Sequence, residues 1–151
     1  MGTRLLLAVD RFESGQAAVD FTIGLAATSH AEVRVLHVRE QPNSLRVPPL
    51  ESAAEARVLV EETLRRLESA GIGAQGSACS EREAHVARRI VEEASRWGCT
   101  AIVLGSLRLR RLSAMRGRGT RERVLRMSPL PVIVTPPALG GVPRTMATLS
   151  R

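Results

Sequence analysis

The sequence predicts an α/β domain, a three-layer α/β/α sandwich built on a parallel sheet. Three observations lead there. Short apolar runs without polar alternation, LLLAV at 5–9 and VIV at 132–134 among them, suit strands buried on both faces. Between the runs lie longer segments whose apolar residues recur at helical spacing, so that strands and helices alternate along the chain. The chain has 151 residues with no internal repeat and no second composition, which fits one domain with a full core.

Residues 3–9 (TRLLLAV) form the first strand, closed by Asp10. Ser14 is the expected N-cap of a helix from Gly15 to about Ser29, in which Val19, Ile23 and Ala26 share a face. Residues 32–39 (EVRVLHVR), rich in β-branched side chains, make the second strand, and a proline-containing loop follows over 41–50. A helix is expected over 51–70. Val60, Leu64 and Leu67 line one side of it, and Glu61 with Arg65 and Glu62 with Arg66 stand four apart in the favourable order. Gly71 ends it. The segment 73–79 (GAQGSAC) lacks bulky side chains and reads as a weak strand at a sheet edge. A third helix covers 83–97, with Ala87, Ile90, Val91 and Ala94 on one face and Gly98 as its stop. The fourth strand is 100–105 (TAIVLG), a short helix spans 120–127, and the fifth strand is 131–135 (PVIVT). Residues 136–151 show no apolar period and are expected to form a flexible tail beyond a domain at 1–135.

The charge is unevenly spread. Between Leu104 and Arg126 stand eight arginines and a single acid, Glu122; elsewhere fourteen arginines balance fourteen carboxylates, so the net charge of +7 belongs to this segment. Every basic residue is arginine, which excludes chemistry that needs lysine, the P-loop included. The Gly-x-Gly at 117–119 has no third glycine and stands a dozen residues beyond its strand, so it is not a dinucleotide fingerprint. His30, His37 and His85 are scattered and read as structural, with no partners at metal spacing, and no Ser-His-Asp set can be argued. Cys79 and Cys99 are isolated and read as reduced thiols of a cytoplasmic protein. No apolar run is long enough to span a membrane, and the one at the start is too short for a signal peptide. A non-enzyme is expected.

In open α/β sheets a ligand binds beyond the carboxyl ends of the strands, where strand order reverses. Asp10 ends the first strand and Gly105 the fourth; an aspartate there accepts hydrogen bonds from a ribose or base, and a glycine admits a ligand close to the backbone. The helix that begins at Thr120 turns free N–H groups toward the arginine-rich segment, an arrangement that suits phosphate. The charge would also attract a nucleic acid through counterion release. One Trp, two Phe and no Tyr leave little for base stacking, which argues against that partner.

The opening strand closed by Asp10, VLHV at 35–38, AIVLGS at 101–106 and RERVLRMSPLPVIVTP at 121–136 together resemble the universal stress protein family. The resemblance covers residues 3–135. It implies a five-stranded domain of order 3-2-1-4-5, like the adenine nucleotide alpha hydrolases. It further implies a homodimer joined along the edge strand between Pro131 and Val134, and a division into members that bind ATP and members that do not. ATP-binding members carry G-x2-G-x9-G-[ST]. Gly105 matches the first glycine, Arg108 stands at the second, and the final pair falls on Arg118-Gly119 or, shifted by one, on Gly119-Thr120. By resemblance, Ala8, Val9, Asp10 and Val38 hold the adenosine end. Leu104 leads into a phosphate end made of Gly105, Arg108, Arg118, Gly119 and Thr120. An arginine in place of the middle glycine either blocks the phosphate or clasps it with a charge-assisted fork. The alternative is a family member without ATP whose arginine-rich loop takes another anion, a nucleic acid or a protein partner.

Overall fold

Each apolar run becomes a strand and each periodic segment a helix. In chain order these are β1 (Arg4–Ala8), α1 (Glu13–Ser29), β2 (Glu32–Gln41), α2 (Ala53–Ser69), β3 (Ala74–Arg82), α3 (Glu83–Arg96), β4 (Ala101–Gly105), α4 (Thr120–Met127) and β5 (Val132–Thr135). The computed structural model describes residues 2–11, 13–105 and 119–136. Its sheet has the order β3-β2-β1-β4-β5 with every pair parallel, the order the resemblance implies. The tail expected over 136–151 lies, but for Pro136, outside the described residues.

Alternation along the strands divides the core in two. Leu5 and Leu7 of β1, Val33 and Val35 of β2 and Val103 of β4 pack against α1 and α2. Leu6, Leu36, Ile102 and Leu104 turn to the other face and meet Val86, Ala87 and Ile90 of α3 and Val124 of α4. With almost no aromatic bulk available, the layers approach closely. Gly76 of β3 shows how closely: a Cβ there would lie 2.9 Å from Val60 Cγ1 and 3.0 Å from Val35 Cβ. The face of β2 under α3 also carries a polar clamp. Arg34 pairs with the buried Glu93 of α3 at 2.9 Å, donates to Ser77 Oγ at 3.2 Å and lies 4.0 Å from the centroid of the Trp97 ring.

Most boundaries fall within a residue of expectation, and three differ in ways that bear on the structure. Helix α1 begins at Glu13, so Ser14 is within it and is not its cap. Strands β2 and β3 run further than their side chains suggest, paired from Val33↔Ala74 to Gln41↔Arg82, and β3 passes directly into α3. Helix α2 starts two residues late, at Ala53, with Ser52 as its cap, and Glu51 lies outside it, buried. Gly71 and Gly98 end α2 and α3 with φ of 77° and 62° as expected, whereas α1 is followed by His30 at φ 52°.

Ser52 and Glu55 form a reciprocal box: Glu55 N donates to Ser52 Oγ at 3.1 Å, and Ser52 N donates to a Glu55 carboxylate oxygen at 2.6 Å. Hydrogen bonding from the Ser52 backbone amide, and then from the Ser52 side chain, holds the Glu55 carboxyl below its ordinary 4.5. On acidification the unfolded chain therefore takes up this proton first, so the contribution is complete above about pH 4.5 and is lost as pH falls through the lower folded value. Ser52→Ala is expected to cost about 1 kcal/mol at neutral pH by urea unfolding, and less in acid, where the box is already weakened.

Candidate functional site

Five parallel strands bring all their carboxyl ends to one edge of the sheet. The chain winds from β1 outward through β2 to β3 and then crosses to β4 on the other side of β1, so strand order reverses between β1 and β4. There Ala8 is registered with Leu36 on one side and Leu104 on the other, and Gly105 with Thr135. Ala8, Val9, Asp10, Val38, Leu104 and Gly105 are thus gathered within a few rungs of each other. Their side chains are not equivalent. Val9 and Leu104 are only 5 % exposed and belong to the core, so a ligand can meet little of them. Ala8 and Val38 are half-buried over the α3 and α4 layer and offer small apolar surfaces. Asp10 is half-exposed.

Asp10 is seated by Gly15 in the first turn of α1. A Cβ on Gly15 would fall 2.5 Å from the Asp10 carbonyl oxygen and 3.1 Å from Oδ1, so only glycine permits this approach.

At the ends of the strands two carbonyls find side-chain donors. The Val9 amide still donates to Leu36 O at 2.9 Å. Its carbonyl accepts from Nδ1 of His37 at 2.8 Å, and Nε2 of the same ring lies 2.7 and 2.9 Å from the two carboxylate oxygens of Glu51. On the β4 side Leu104 O accepts from the buried Thr135 Oγ1 at 3.3 Å. His37, expected to be structural, is buried and hydrogen-bonded through both ring nitrogens. Its partner was not anticipated: Glu51 stands fourteen residues on, where the helix-start pattern accounts for an acid without a histidine.

The expected phosphate end includes the start of helix α4. Gly119 is its N-cap with φ −56° and ψ 160°, no side chain caps the first turn, and Thr120 is the first helical residue. Arg123 Nη1 donates to Glu83 O at 3.5 Å, which sets this first turn beside the start of α3, next to the carboxyl end of β3. Backbone N–H groups and the positive end of the helix dipole meet there, chemistry that suits an anion. Arg108 and Arg118 lie outside the described residues.

An open cleft of about 380 Å³ lies nearby, lined by Arg11, Ala54, Val58, Leu59 and the acids Glu51, Glu55 and Glu62. Three carboxylates against one arginine make it a poor seat for phosphate. Burial raises the thiols of Cys79 and Cys99 above their ordinary 9.0, so neither is a ready nucleophile. Among the described residues no group of three or more His, Cys, Asp and Glu could hold a metal ion, and no helix is long and apolar enough to cross a membrane.

The profile of the Universal stress protein family matches residues 1–136. A crystal structure of a protein of that family from Burkholderia pseudomallei superposes with a TM-score of 0.72 at 25% identity, covering 90% of this chain and 96% of the other. The Archaeoglobus fulgidus universal stress protein in complex with dAMP gives 0.65 at 19%, covering 88% and 97%. A family protein from Arabidopsis thaliana with AMP bound gives 0.65 at 20%, covering 96% and 99%. No protein with a curated description matches significantly.

Gly15→Ala tests the seat of Asp10. Alanine in a helix ordinarily gains up to about 1 kcal/mol over glycine. Contact with a backbone carbonyl reverses the sign, and a net loss of about 1–2 kcal/mol is expected in thermal unfolding. Unchanged or higher stability would show that the turn does not bear on Asp10.

Proposed function

The chain belongs to the universal stress protein family, and from that premise we propose that it is a cytoplasmic, non-enzymatic regulatory domain that binds an adenine nucleotide, ATP included, where β1 and β4 end. The observation that carries this reading is the register of Ala8 with Leu104, the last rung between β1 and β4, after which Asp10 and Gly105 follow at the strand reversal. The helix start at Gly119 and Thr120, without a side-chain cap, supports it. Relatives of the same fold were solved in complex with dAMP and with AMP bound, which supports an adenine ligand. In this reading Ala8 and Val38 border the base, Asp10 accepts from a ribose hydroxyl or the base amine, and Gly105, Gly119 and Thr120 receive phosphate. Arg108 and Arg118, at or beside glycine positions of the ATP motif, add charge-assisted forks.

A second reading is favoured by the same arginines. With the middle glycine of the motif replaced by Arg108 and the whole net charge of +7 lying between Leu104 and Arg126, the segment would take another anion, a nucleic acid or a protein partner, and ATP would not bind. Calorimetric titration with ATP and AMP, with mass spectrometry of nucleotide retained through purification, separates the two. The first reading expects heat of binding, its loss in Gly105→Val, and about tenfold weaker binding in Asp10→Ala, the scale of one hydrogen bond. No heat and no retained nucleotide would leave the second; for a nucleic acid, retention on heparin must then fall steeply with salt.

The domain acts as a homodimer in this proposal, joined along β5. That strand is a sheet edge of four residues, and Val132, Ile133 and Val134 are only half-buried there. An uncovered apolar edge invites aggregation. Sedimentation velocity is expected to give a dimer for the wild type and a monomer for Val134→Asp; a monomeric wild type would refute the contact.

A further inference from the structure

We propose that the buried His37–Glu51 pair is a positioning element that ties Asp10 to the end of the β2–α2 connection, so that the connection sets the pose of the nucleotide-facing carboxylate. The role of Asp10 rests on the reading above; the coupling itself does not.

His37 and Glu51 are 4 % and 9 % exposed. A backbone carbonyl can only accept, so His37 Nδ1 carries the hydrogen it gives to Val9 O at 2.8 Å. This fixes the ring, and one proton is held between Nε2 and the Glu51 carboxylate at 2.7 Å. The pair therefore spans from the end of β1 to the residue before the Ser52 cap. Two further side chains reach the same place. Arg11 Nη1 donates to Leu50 O at 2.7 Å, and Arg39 Nη1 donates to Glu51 O at 3.3 Å.

Asp10 lies between Val9 and Arg11, and both neighbours are tied to residues 50 and 51: Val9 through the imidazole, Arg11 directly. Gly15 closes on Asp10 from the helix side. A carboxylate held from both flanks by one point of the β2–α2 connection moves when that point moves. The connection also presents Leu45, Val47 and Leu50 to solvent, so a contact made there is transmitted along the same hydrogen bonds. By linkage, a ligand on Asp10 steadies the connection by the same free energy.

Amide hydrogen exchange of the unliganded protein decides the coupling. Glu51→Ala is expected to speed exchange about tenfold in residues 8–16 as well as in 42–52, with α3 and β4 unchanged as the control for folding. Glu51→Gln keeps a hydrogen bond to the ring and is expected to restore most of the protection. Should Glu51→Ala not fold, Arg11→Ala on the exposed flank, which removes the tie to Leu50 O, is expected to speed exchange in both 8–16 and 42–52, and an effect confined to either stretch counts against the coupling. In titration, Glu51→Ala should weaken AMP about tenfold and Glu51→Gln should recover it, a split that a uniform loss of stability does not produce. Faster exchange confined to 42–52, or no gain from glutamine over alanine, overturns the proposal. A wild type that binds no AMP removes the nucleotide reading, and the exchange comparison still decides the coupling.

Discussion

The parallel pairing of β1 with both β2 and β4 is the constraint from which the rest of the molecule follows. A strand hydrogen-bonded on both sides has only its two faces left for side chains, and three successive leucines put apolar surface on both. Two faces need two helical layers. Parallel neighbours need crossovers, and the crossovers supply those layers. The same pairing decides where chemistry can occur, because it aligns the strand exits and leaves β1 and β4 to part where the winding changes direction.

Toward the exits side chains take up polar groups of the strand backbone. The solutions on the two sides of β1 are unequal in reach. Thr135 serves the neighbouring Leu104 carbonyl with a short hydroxyl, a local repair. His37 serves Val9 with one nitrogen and Glu51 with the other, so the repair extends into a different part of the chain. The first holds two strands level. The second makes the exit of β1 depend on a connection distant from it in sequence.

The fold was legible because its signals are local and redundant. Apolar runs mark β1 and β4, helical periodicity marks α2 and α3, and Gly71 and Gly98 mark their ends. The least legible strand was β3. Its extension to Arg82 is carried by backbone pairing with β2, which imposes no side-chain pattern, and its small residues answer to the close approach of α2 at Gly76. For the candidate site, the positions of Asp10 and Gly105 at strand ends follow from the apolar runs alone. The pairing of Glu51 with His37 does not: an acid just before a helix already has an explanation, and nothing local links it to a histidine on a strand. Gly15 was hidden too, because a glycine at a helix start reads as neutral until the carbonyl beside it is seen.

The clamp on the face of β2 under α3 has an optical consequence. Trp97 is the only tryptophan of the chain, and the Arg34 guanidinium lies 4.0 Å from the centroid of its ring. Its carbonyl accepts from Arg4 Nη1 at 3.1 Å, and Arg4 opens β1, so the indole belongs to the amino edge of the sheet. Strand β1 is five residues long, about 17 Å, and separates it from the opposite edge. The protein therefore carries one intrinsic fluorophore whose emission follows the docking of α3 on β2 and is insulated from events around Asp10. Fluorescence reads its unfolding cleanly, and a ligand at the strand exits has to be followed by another signal.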